Sequence, residues 1–203
     1  MLFTDTYKGI DKTSTGEFKS KGSKFIGIAF PIQSEDDFKH QLQQLKKDHL
    51  AAAHHCYAYI LGPGKQLQKS SDDREPANTA GKPILRALLQ ADLTNIGIVV
   101  VRYFGGKLLG IPGLIEAYGA AAQAALENAD IIEKTIMERY QVVGHFESEN
   151  EYYKITKQMG LKIIHHVYNQ SEFNSIFEVR KQQADEAVIK IKEKRLFTIT
   201  PII

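Results

Sequence analysis

Residues 70–81, SSDDREPANTAG, and residues 99–118, VVVRYFGGKLLGIPGLIEAY, decide the fold of this chain. Each stretch contains a polar loop with glycine, and a short apolar helix pattern and an apolar strand pattern lie between the two loops. Loops of this composition rarely build a core, because they present backbone N–H groups, carboxylates and basic side chains to something outside the fold. We therefore expect the two loops to form the working surface of the protein.

The overall composition is that of an ordinary soluble globular protein. The 203 residues suit one large domain or two small ones, with 43% hydrophobic and 25% charged residues. The formal net charge of +2 is too small for bulk charge to predict nucleic-acid binding, so any such surface must come from local arrangement. The single cysteine, Cys56, excludes an intrachain disulfide and a multi-cysteine zinc site, and it fits a reducing cytoplasm.

The sequence carries no pattern of secretion or of a membrane span. Residues 1–12, MLFTDTYKGIDK, lack a basic stretch followed by an apolar one, which a signal peptide needs. No apolar run reaches the roughly 18 residues of a membrane span. We therefore expect no signal peptide, no membrane partner and a cytoplasmic location.

The N-terminal part of the chain alternates strand and helix patterns. Ser34 stands where an N-cap would open the first helix, ahead of an acidic first turn. The strand at 96–103 is the most apolar, so we predict that it is central and covered on both faces. The predicted elements are strand 24–32, helix 35–48, strand 54–61, a short strand at 65–69, a helix that opens at Pro83, strand 96–103 and helix 113–128.

The C-terminal part carries a second mixed pattern. The predicted elements are strand 136–146, helix 149–159, strand 161–168, strand 172–180, helix 183–193 and strand 196–201. This βαββαβ order is typical of a ferredoxin-like domain. Gly160 predicts the end of the first helix, and Asn169-Gln170 predicts a hairpin turn. We predict an α+β chain of two domains, residues 1–132 and 133–203.

Three carboxylates in the first loop are candidates for chemistry. Asp72, Asp73 and Glu75 lie within four residues and could bind Mg²⁺ or act as general acid and base. The alternative, which the sequence favours, is a solvated acidic turn neutralised by Arg74. We predict no metal and no cofactor.

The end of the first loop has the pattern of an anion site. Free N–H groups around Thr79 and Gly81 would lead into a helix N-terminus, with Lys82 beside them. An equally good interpretation is a plain turn into the helix, with Thr79 as its cap.

The second loop has the layout of a phosphate cradle. Gly105, Gly106 and Lys107 follow a buried strand and precede a helix, but neither the dinucleotide fingerprint nor the nucleotide-hydrolysing P-loop pattern is met. At the end of the strand, Arg102 could contact a phosphate and Tyr103 could stack on a base. The alternative is that Tyr103 and Phe104 are partly buried anchors.

Strand 54–61 places two reactive side chains on one face. His54 and Cys56 alternate to one side, and His55, Tyr57 and Tyr59 to the other. A Cys–His nucleophile is one interpretation. No acyl-transfer signature surrounds the pair, so a packed histidine and a buried thiol are favoured. We interpret His165-His166 as structural or exposed.

The two loops resemble the signature of the YigZ/IMPACT family. That signature reads roughly S-x-D-D-G-E-P-x-G-T-A-G-x-P-x-L, then V-V-V-x-R-Y-F-G-G-x-K-L-G-x-G-G-L-x-x-A-Y. Here residues 70–85 read S-S-D-D-R-E-P-A-N-T-A-G-K-P-I-L, and residues 99–118 follow the second pattern. Residues 51–59, AAAHHCYAY, resemble the family's A-x-H-x-C-x-A block with His54 at the histidine, and SKFI at 23–26 resembles its opening strand. The resemblance covers about residues 20–130.

The resemblance implies a fold and a field of function. It implies a first domain like domain IV of elongation factor G, the α/β fold shared with a small-subunit ribosomal protein, and a second, ferredoxin-like domain similar to the last domain of that factor. Eukaryotic relatives carry an additional N-terminal RWD domain that binds a translational regulator. We expect no such domain in this chain and do not transfer that partner. What the resemblance implies here is a link to translation or RNA.

Four positions depart from the family pattern. Arg74 and Asn78 stand where the family has glycine, and a left-handed backbone is costlier for arginine than for asparagine. Leu108 occupies the position of the family lysine, with Lys107 one residue earlier, and Pro112 replaces a glycine. These changes put any glycine-dependent grip on phosphate in doubt.

The sequence favours binding over catalysis. We predict a translation-related or stress-linked regulatory factor that binds RNA, the ribosome or a translation-associated protein through loops 70–82 and 102–113. The first alternative is a hydrolase-like enzyme acting on a phosphorylated or peptide-like small molecule. The second is a protein-interaction module without catalysis, whose interface would centre on Leu108, Leu109 and Ile111.

Overall fold

The computed structural model describes residues 5–202, which form a mixed α+β chain of two compact units. One unit comprises residues 7–134, and the other comprises residues 135–202 together with residues 5–6. No helix within the described residues is long and apolar enough to cross a membrane.

The first unit is built on a five-stranded antiparallel sheet in the order β2-β3-β6-β4-β5, and β1 pairs with β7 in a separate two-stranded sheet. Strand β6 is therefore central, as its apolar sequence predicts. The elements in chain order are β1 (Thr6–Ile10), β2 (Ser14–Ser20), β3 (Ser23–Pro31), α1 (Glu35–Asp48), β4 (His54–Leu61), β5 (Leu67–Ser71), α2 (Gly81–Gln90), β6 (Ile96–Tyr103), α3 (Gly110–Glu127) and β7 (Ile131–Thr135).

Both faces of this sheet are covered by helices. One apolar cluster joins α2 and α3 to the sheet and includes Cys56, Ile98 and Val100. The other joins α1 to the opposite face and includes Tyr59 and Val99. Alternate residues of β4 and β6 thus enter different clusters, which confirms the predicted faces of strand 54–61.

The long helix α3 lies unusually close to the sheet. A Cβ built on Gly27 would stand 2.2 Å from the carbonyl oxygen of Ala121, so only glycine fits at this point of β3. The small side chains of Ala121, Ala122 and Ala125 are fully buried there. This buried face of the helix also positions Tyr118 against the same sheet.

The second unit follows the predicted βαββαβ order. Its elements are β8 (Met137–His145), a short 3-10 turn (Phe146–Ser148), α4 (Glu149–Met159), β9 (Lys162–Asn169), β10 (Glu172–Arg180), α5 (Lys181–Glu193) and β11 (Phe197–Ile202). The sheet order is β11-β8-β10-β9, and all its pairings are antiparallel. Tyr152, Phe173 and Phe177 are fully buried at the centre of its core. Gly160 ends α4 in the left-handed conformation, with φ +64°, as predicted.

Several predicted boundaries are wrong by a few residues. Helix α2 begins at Gly81, two residues before Pro83. Proline is tolerated at this position because an N–H group in the first turn of a helix has no intrahelical partner. For the same reason α3 begins at Gly110, ahead of Pro112. Strand β5 spans Leu67–Ser71, not 65–69, and the hairpin turn falls at Gln170 and Ser171. Strands β1, β2 and β7 are not predicted from the sequence.

Candidate binding cleft

The first loop folds around its own carboxylate. Asp72 Oδ1 accepts hydrogen bonds from the N–H groups of Ala80 (2.9 Å) and Gly81 (2.8 Å), and Oδ2 accepts from that of Asn78 (2.8 Å). Burial works to raise the pKa of the Asp72 carboxyl, but the three N–H donors outweigh it and hold the pKa below its ordinary value. Asp72 therefore occupies the N-terminus of α2 as an internal anion.

This arrangement corrects the predicted anion site. The N–H groups of Ala80 and Gly81 are not free, because Asp72 already accepts from them. Thr79 is not the helix cap either, since its hydroxyl donates to the Pro76 carbonyl at 2.7 Å. The predicted anion-binding role of Thr79, Gly81 and Lys82 depended on free backbone N–H groups, and these already donate to Asp72. Lys82 itself is exposed.

The three carboxylates of the loop point in different directions. Asp73 Oδ2 accepts from the N–H of His55 at 2.7 Å, which ties the loop to β4. Glu75 turns into the protein interior, away from both aspartates. Within residues 5–202 no group of three or more His, Cys, Asp or Glu side chains could hold a metal ion. The interpretation of the three carboxylates as one metal or acid–base cluster is therefore wrong.

Left-handed backbone causes this divergence. Asp73, Arg74 and Asn78 have φ values of +38°, +70° and +66°, and the first two stand in the segment from Asp72 to Glu75 where the carboxylates diverge. The two positions where the family has glycine are thus the positions that need a positive φ. At Arg74 this conformation costs about 1–2 kcal/mol relative to glycine.

Glu75 anchors a buried polar cluster. Its Oε1 accepts hydrogen bonds from Arg102 Nη1 and from the hydroxyl of Tyr118, the latter at 2.7 Å. The guanidinium of Arg102 lies between two aromatic rings, 5.4 Å from the centroid of Phe25 and 5.5 Å from that of Phe104. Arg102 is buried and paired, so the prediction that it is a free phosphate contact needs correction.

His54 joins this cluster at its open side. Its Nδ1 lies 2.8 Å from the carbonyl oxygen of Asp73, which can only accept, so Nδ1 carries the proton and donates. Its Nε2 lies 3.7 Å from Glu75 Oε1, and the ring is partly exposed. In the neutral ring, Nε2 is therefore an acceptor.

Cys56 is not available as a nucleophile. The thiol is fully buried and donates to the carbonyl oxygen of Asp72 at 3.0 Å. Burial raises the pKa of the Cys56 thiol far above its ordinary value, which disfavours the reactive thiolate. The favoured interpretation, a buried structural thiol, is confirmed, and the Cys–His nucleophile is wrong.

Tyr103 faces away from Arg102. Its hydroxyl pairs with Nδ1 of His49 at 2.8 Å, and its ring packs on the α1 side of the sheet. Successive residues of a strand point to opposite faces, so Arg102 and Tyr103 cannot contact one ligand. The predicted stacking surface at Tyr103 is wrong, and the aromatic ring at the loop is the exposed Phe104.

The glycine loop serves packing. The N–H of Gly105 donates to Ser23 Oγ at 3.1 Å, and a Cβ at Gly105 would stand 1.9 Å from the carbonyl carbon of Gly22. Gly105 is thus required by the close approach of the β2-β3 turn. Gly106 has φ +81° and faces open space, and Lys107 is exposed but does not line the cleft described next.

A cleft of about 390 Å³ opens where the two loops meet. Its polar floor consists of His54, Glu75 and Arg102. Its walls are apolar and are formed by Pro76, Phe104, Leu108, Leu109, Ile111 and Leu114. Leu108 is 84% exposed and Ile111 59% exposed at the rim, whereas Leu109 is only 8% exposed. The cleft therefore combines a buried ionic floor with an exposed aliphatic rim.

The three floor residues are candidates from the sequence, but Tyr118 is not predicted as a partner of Glu75. Leu114 and Tyr118 stand four residues apart in the predicted helix 113–128, and this spacing is the available signal. In the second unit, His166 Nε2 pairs with Glu149 Oε1 at 2.8 Å, beside the ring of Tyr168. The structural interpretation of His166 is confirmed.

Comparisons with known proteins agree with the sequence signature. The profile of the Impact N-terminal domain matches residues 21–126. The IMPACT family member YvyE of Bacillus subtilis is 33% identical over 185 residues, covering 88% of this chain and 83% of that protein. The IMPACT family member YigZ of Escherichia coli is 36% identical over 138 residues, covering 67% of this chain and 65% of that protein. A crystal structure described as that of a hypothetical protein is 28% identical, covers 99% of both chains and has a TM-score of 0.77.

Proposed function

This chain belongs to the IMPACT family, and we propose that it is a translation-related regulatory factor that binds its partner through the cleft between loops 70–82 and 102–113. The link to translation rests on the family resemblance. The place of binding rests on the exposed aliphatic rim above a buried ionic floor. Partners engaged in translation would be met in the cytoplasm, which is the location we propose.

The rim favours a protein as the partner. Leu108, Ile111 and Phe104 are all more than half exposed on one side of the first unit. Clustered exposed apolar side chains mark interaction sites, and a few such residues carry most of the binding energy of an interface. A ribosomal or translation-associated protein therefore fits the cleft better than the phosphate backbone of RNA.

RNA is the second candidate. Phe104 offers an exposed ring beside the loop, and Lys82 and Lys107 are exposed basic side chains in the two loops. Base stacking together with lysine–phosphate contacts would give binding that weakens steeply with salt. In this mode the anion-binding role falls to Lys82 and Lys107, since Glu75 neutralises Arg102.

A hydrolase-like activity remains the alternative from a different class. His54 and Glu75 share the cleft floor, and a neutral His54 presents Nε2 as a base. Asp72 and Asp73 are engaged with backbone N–H groups and would only shape the loop. A screen against phosphoester and dipeptide substrates, with loss of any activity in His54→Ala, would establish this reading.

The finer fold assignment is also a proposal. We propose that the first unit has the fold of elongation factor G domain IV and that the second is ferredoxin-like. The βαββαβ order and the sheet order β11-β8-β10-β9 support the second assignment. The division after residue 134 supports domains at about 1–132 and 133–203.

Cosedimentation with purified ribosomes tests the proposed function. We expect the protein to pellet with ribosomes, and Leu108→Asp to weaken that association by about tenfold or more, because the variant would bury an unpaired charge at the interface. Leu50→Asp is the matched control, because Leu50 is 85% exposed in the same unit but outside the cleft. It should bind as the wild type does.

Each other outcome has a definite meaning. No pelleting at low salt, together with no capture of ribosomal proteins or translation factors, would overturn the proposal. Pelleting that Leu108→Asp leaves intact would refute the cleft as the interface. Binding to protein-free ribosomal RNA, with a steep salt dependence, would select the RNA alternative.

A further inference from the structure

Besides Nε2 of His54, the cleft floor offers a donor group on Arg102 and an acceptor on Glu75 that the rest of residues 5–202 leave unused. Arg102 bonds to Glu75 through Nη1, and its Nε is buried away from solvent. Its Nη2, in contrast, has no hydrogen-bond partner and is accessible to solvent. Glu75 accepts its hydrogen bonds on Oε1, so Oε2 likewise has no hydrogen-bond partner and is accessible to solvent. The guanidinium N–H and the carboxylate oxygen that remain open thus belong to two residues that are bonded to each other and that both line the cleft.

The charges of the floor select a neutral ligand. Arg102 and Glu75 carry opposite charges in direct contact, with side chains only 6% and 4% exposed. A phosphate or carboxylate approaching Arg102 would also approach Glu75, and the repulsion would be poorly screened at this depth. An amide carries no net charge, and it presents a C=O that accepts and an N–H that donates. It would satisfy both open groups at once.

The walls select an aliphatic group beside the amide. Leu108, Ile111 and Leu114 form an aliphatic surface, and the one aromatic ring, Phe104, already packs on the guanidinium of Arg102. Base recognition uses flat stacking faces, whereas branched aliphatic walls fit a branched aliphatic side chain. The volume of about 390 Å³ lies within the range of small-ligand pockets, roughly 300–1,000 Å³.

We propose that the cleft recognises an amide group next to a branched aliphatic side chain, which is the chemistry of a peptide segment of a partner protein. Arg102 Nη2 donates to the amide oxygen, Glu75 Oε2 accepts from the amide N–H, and the rim packs on the side chain. The proposal rests on the binding function proposed above and names the ligand class of that same cleft. It assigns the buried pair a recognition role as well as a structural one.

A titration with small probes tests the proposal. Methyl-group NMR of the isoleucine and leucine side chains of the whole protein would follow additions of isocaproamide, isocaproate, adenosine monophosphate and inorganic phosphate. We expect saturable shifts with isocaproamide, with a dissociation constant on the order of millimolar, at methyl groups of the cleft. Isocaproate has the same aliphatic tail with a carboxylate in place of the amide, and its affinity should be lower by about tenfold or more. Leu108→Ala should weaken isocaproamide, and Leu50→Ala should not.

The remaining results overturn the inference. Equal binding of isocaproate and isocaproamide would refute the role of the neutral floor, and shifts caused by adenosine monophosphate alone would assign the cleft to a nucleobase. Absence of saturable shifts with isocaproamide would refute the ligand class. If ribosomes still pellet the protein through Leu108, only the ligand class is wrong. If isocaproamide binds while no translation partner is retained, the ligand class stands and the proposed function fails.

Discussion

Arg102 and Glu75 form an ion pair buried on both sides at the floor of a cleft that opens to solvent. Glu75 lies in the SSDDREPANTAG loop and Arg102 lies near the end of β6, so their contact holds the loop against that strand. A lone charge at this depth would be strongly disfavoured, so each residue depends on the other. Tyr118 adds a third element, α3, through its hydrogen bond to the same carboxylate oxygen.

Breaking this pair should be costly. We expect Arg102→Met to lower the free energy of unfolding by about 3–5 kcal/mol, because Glu75 is left buried without a counter-charge. Urea denaturation followed by circular dichroism measures the loss. Lys39→Met is the matched control, since Lys39 pairs with Asp36 on the surface and exposed pairs contribute about 1 kcal/mol or less.

The double variant Arg102→Met/Glu75→Leu separates pairing from packing. Replacing both charges by apolar side chains should recover most of the lost stability, apart from about 1 kcal/mol for the Tyr118 hydroxyl that loses its acceptor. If Arg102→Met lowers the free energy of unfolding by less than about 1 kcal/mol, Glu75 does not remain as an unpaired buried charge in that variant, and the prediction is contradicted.

Asp72 should make stability depend on pH in the acid range. Its folded-state pKa lies below the ordinary value of 3.8, where the N–H donors of residues 78, 80 and 81 hold it against the effect of burial. The stabilisation is fully present above the unfolded-state pKa and is lost as pH falls through the lower folded-state pKa. We expect Asp72→Asn to cost about 1 kcal/mol at neutral pH, and the gap between wild type and variant to close below about pH 4.

Urea midpoints measured from neutral pH down to about pH 3 would check this. Asp48→Asn, on an exposed helix end, is the control and should change stability by no more than about 0.5 kcal/mol at any pH. A gap between wild type and Asp72→Asn that stays constant down to pH 3 would contradict the role of the Asp72 carboxylate.

The sequence predicts most of the fold because its signals are local. Helix α1 has the predicted bounds because Ser34 caps it, with its hydroxyl accepting from the N–H of Asp37 at 3.1 Å. Strands β4 and β6 have the predicted bounds because they are continuous apolar runs. Strands β1, β2 and β7 are not predicted because they are short and largely polar. In addition, β1 and β7 pair with each other although they are far apart in the sequence.

The site is only partly readable from the sequence. His54, Glu75 and Arg102 are candidates from the sequence, and all three line the cleft. A linear motif, however, does not show which of three neighbouring carboxylates turns inward. The left-handed backbone at Asp73 and Arg74 decides that direction. Neither residue is a glycine, so the sequence does not indicate a positive φ at these positions. Strand alternation does contain the signal that Arg102 and Tyr103 face opposite sides, and the prediction of a joint role overlooked it.

Cys56 should not react with thiol reagents in the native protein. It is the single cysteine of the chain, and burial raises the pKa of its thiol. We expect no labelling by a chromogenic disulfide reagent at about pH 8 until the protein unfolds, because the thiolate and not the thiol reacts. Ser70→Cys adds an exposed thiol on β5 and should gain one rapidly labelled site. Rapid stoichiometric labelling of the native wild type would contradict the buried position of Cys56.

Neighbouring leucines should behave in opposite ways. Leu109 is 8% exposed and packs in the α2-α3 core cluster, whereas Leu108 is 84% exposed at the rim of the cleft. We expect Leu109→Ala to lower the free energy of unfolding by about 2–5 kcal/mol, as a buried cavity does, and Leu108→Ala to change it by no more than about 0.5 kcal/mol. For binding the order reverses, because Leu108 exposes most of its side chain at the rim, whereas Leu109 is almost entirely buried. Leu109 is therefore unsuitable as an interface probe, although its place in the motif suggests otherwise. Urea denaturation and ribosome cosedimentation of the same two variants check both halves, and a stable Leu109→Ala protein that fails to bind would contradict this division of roles.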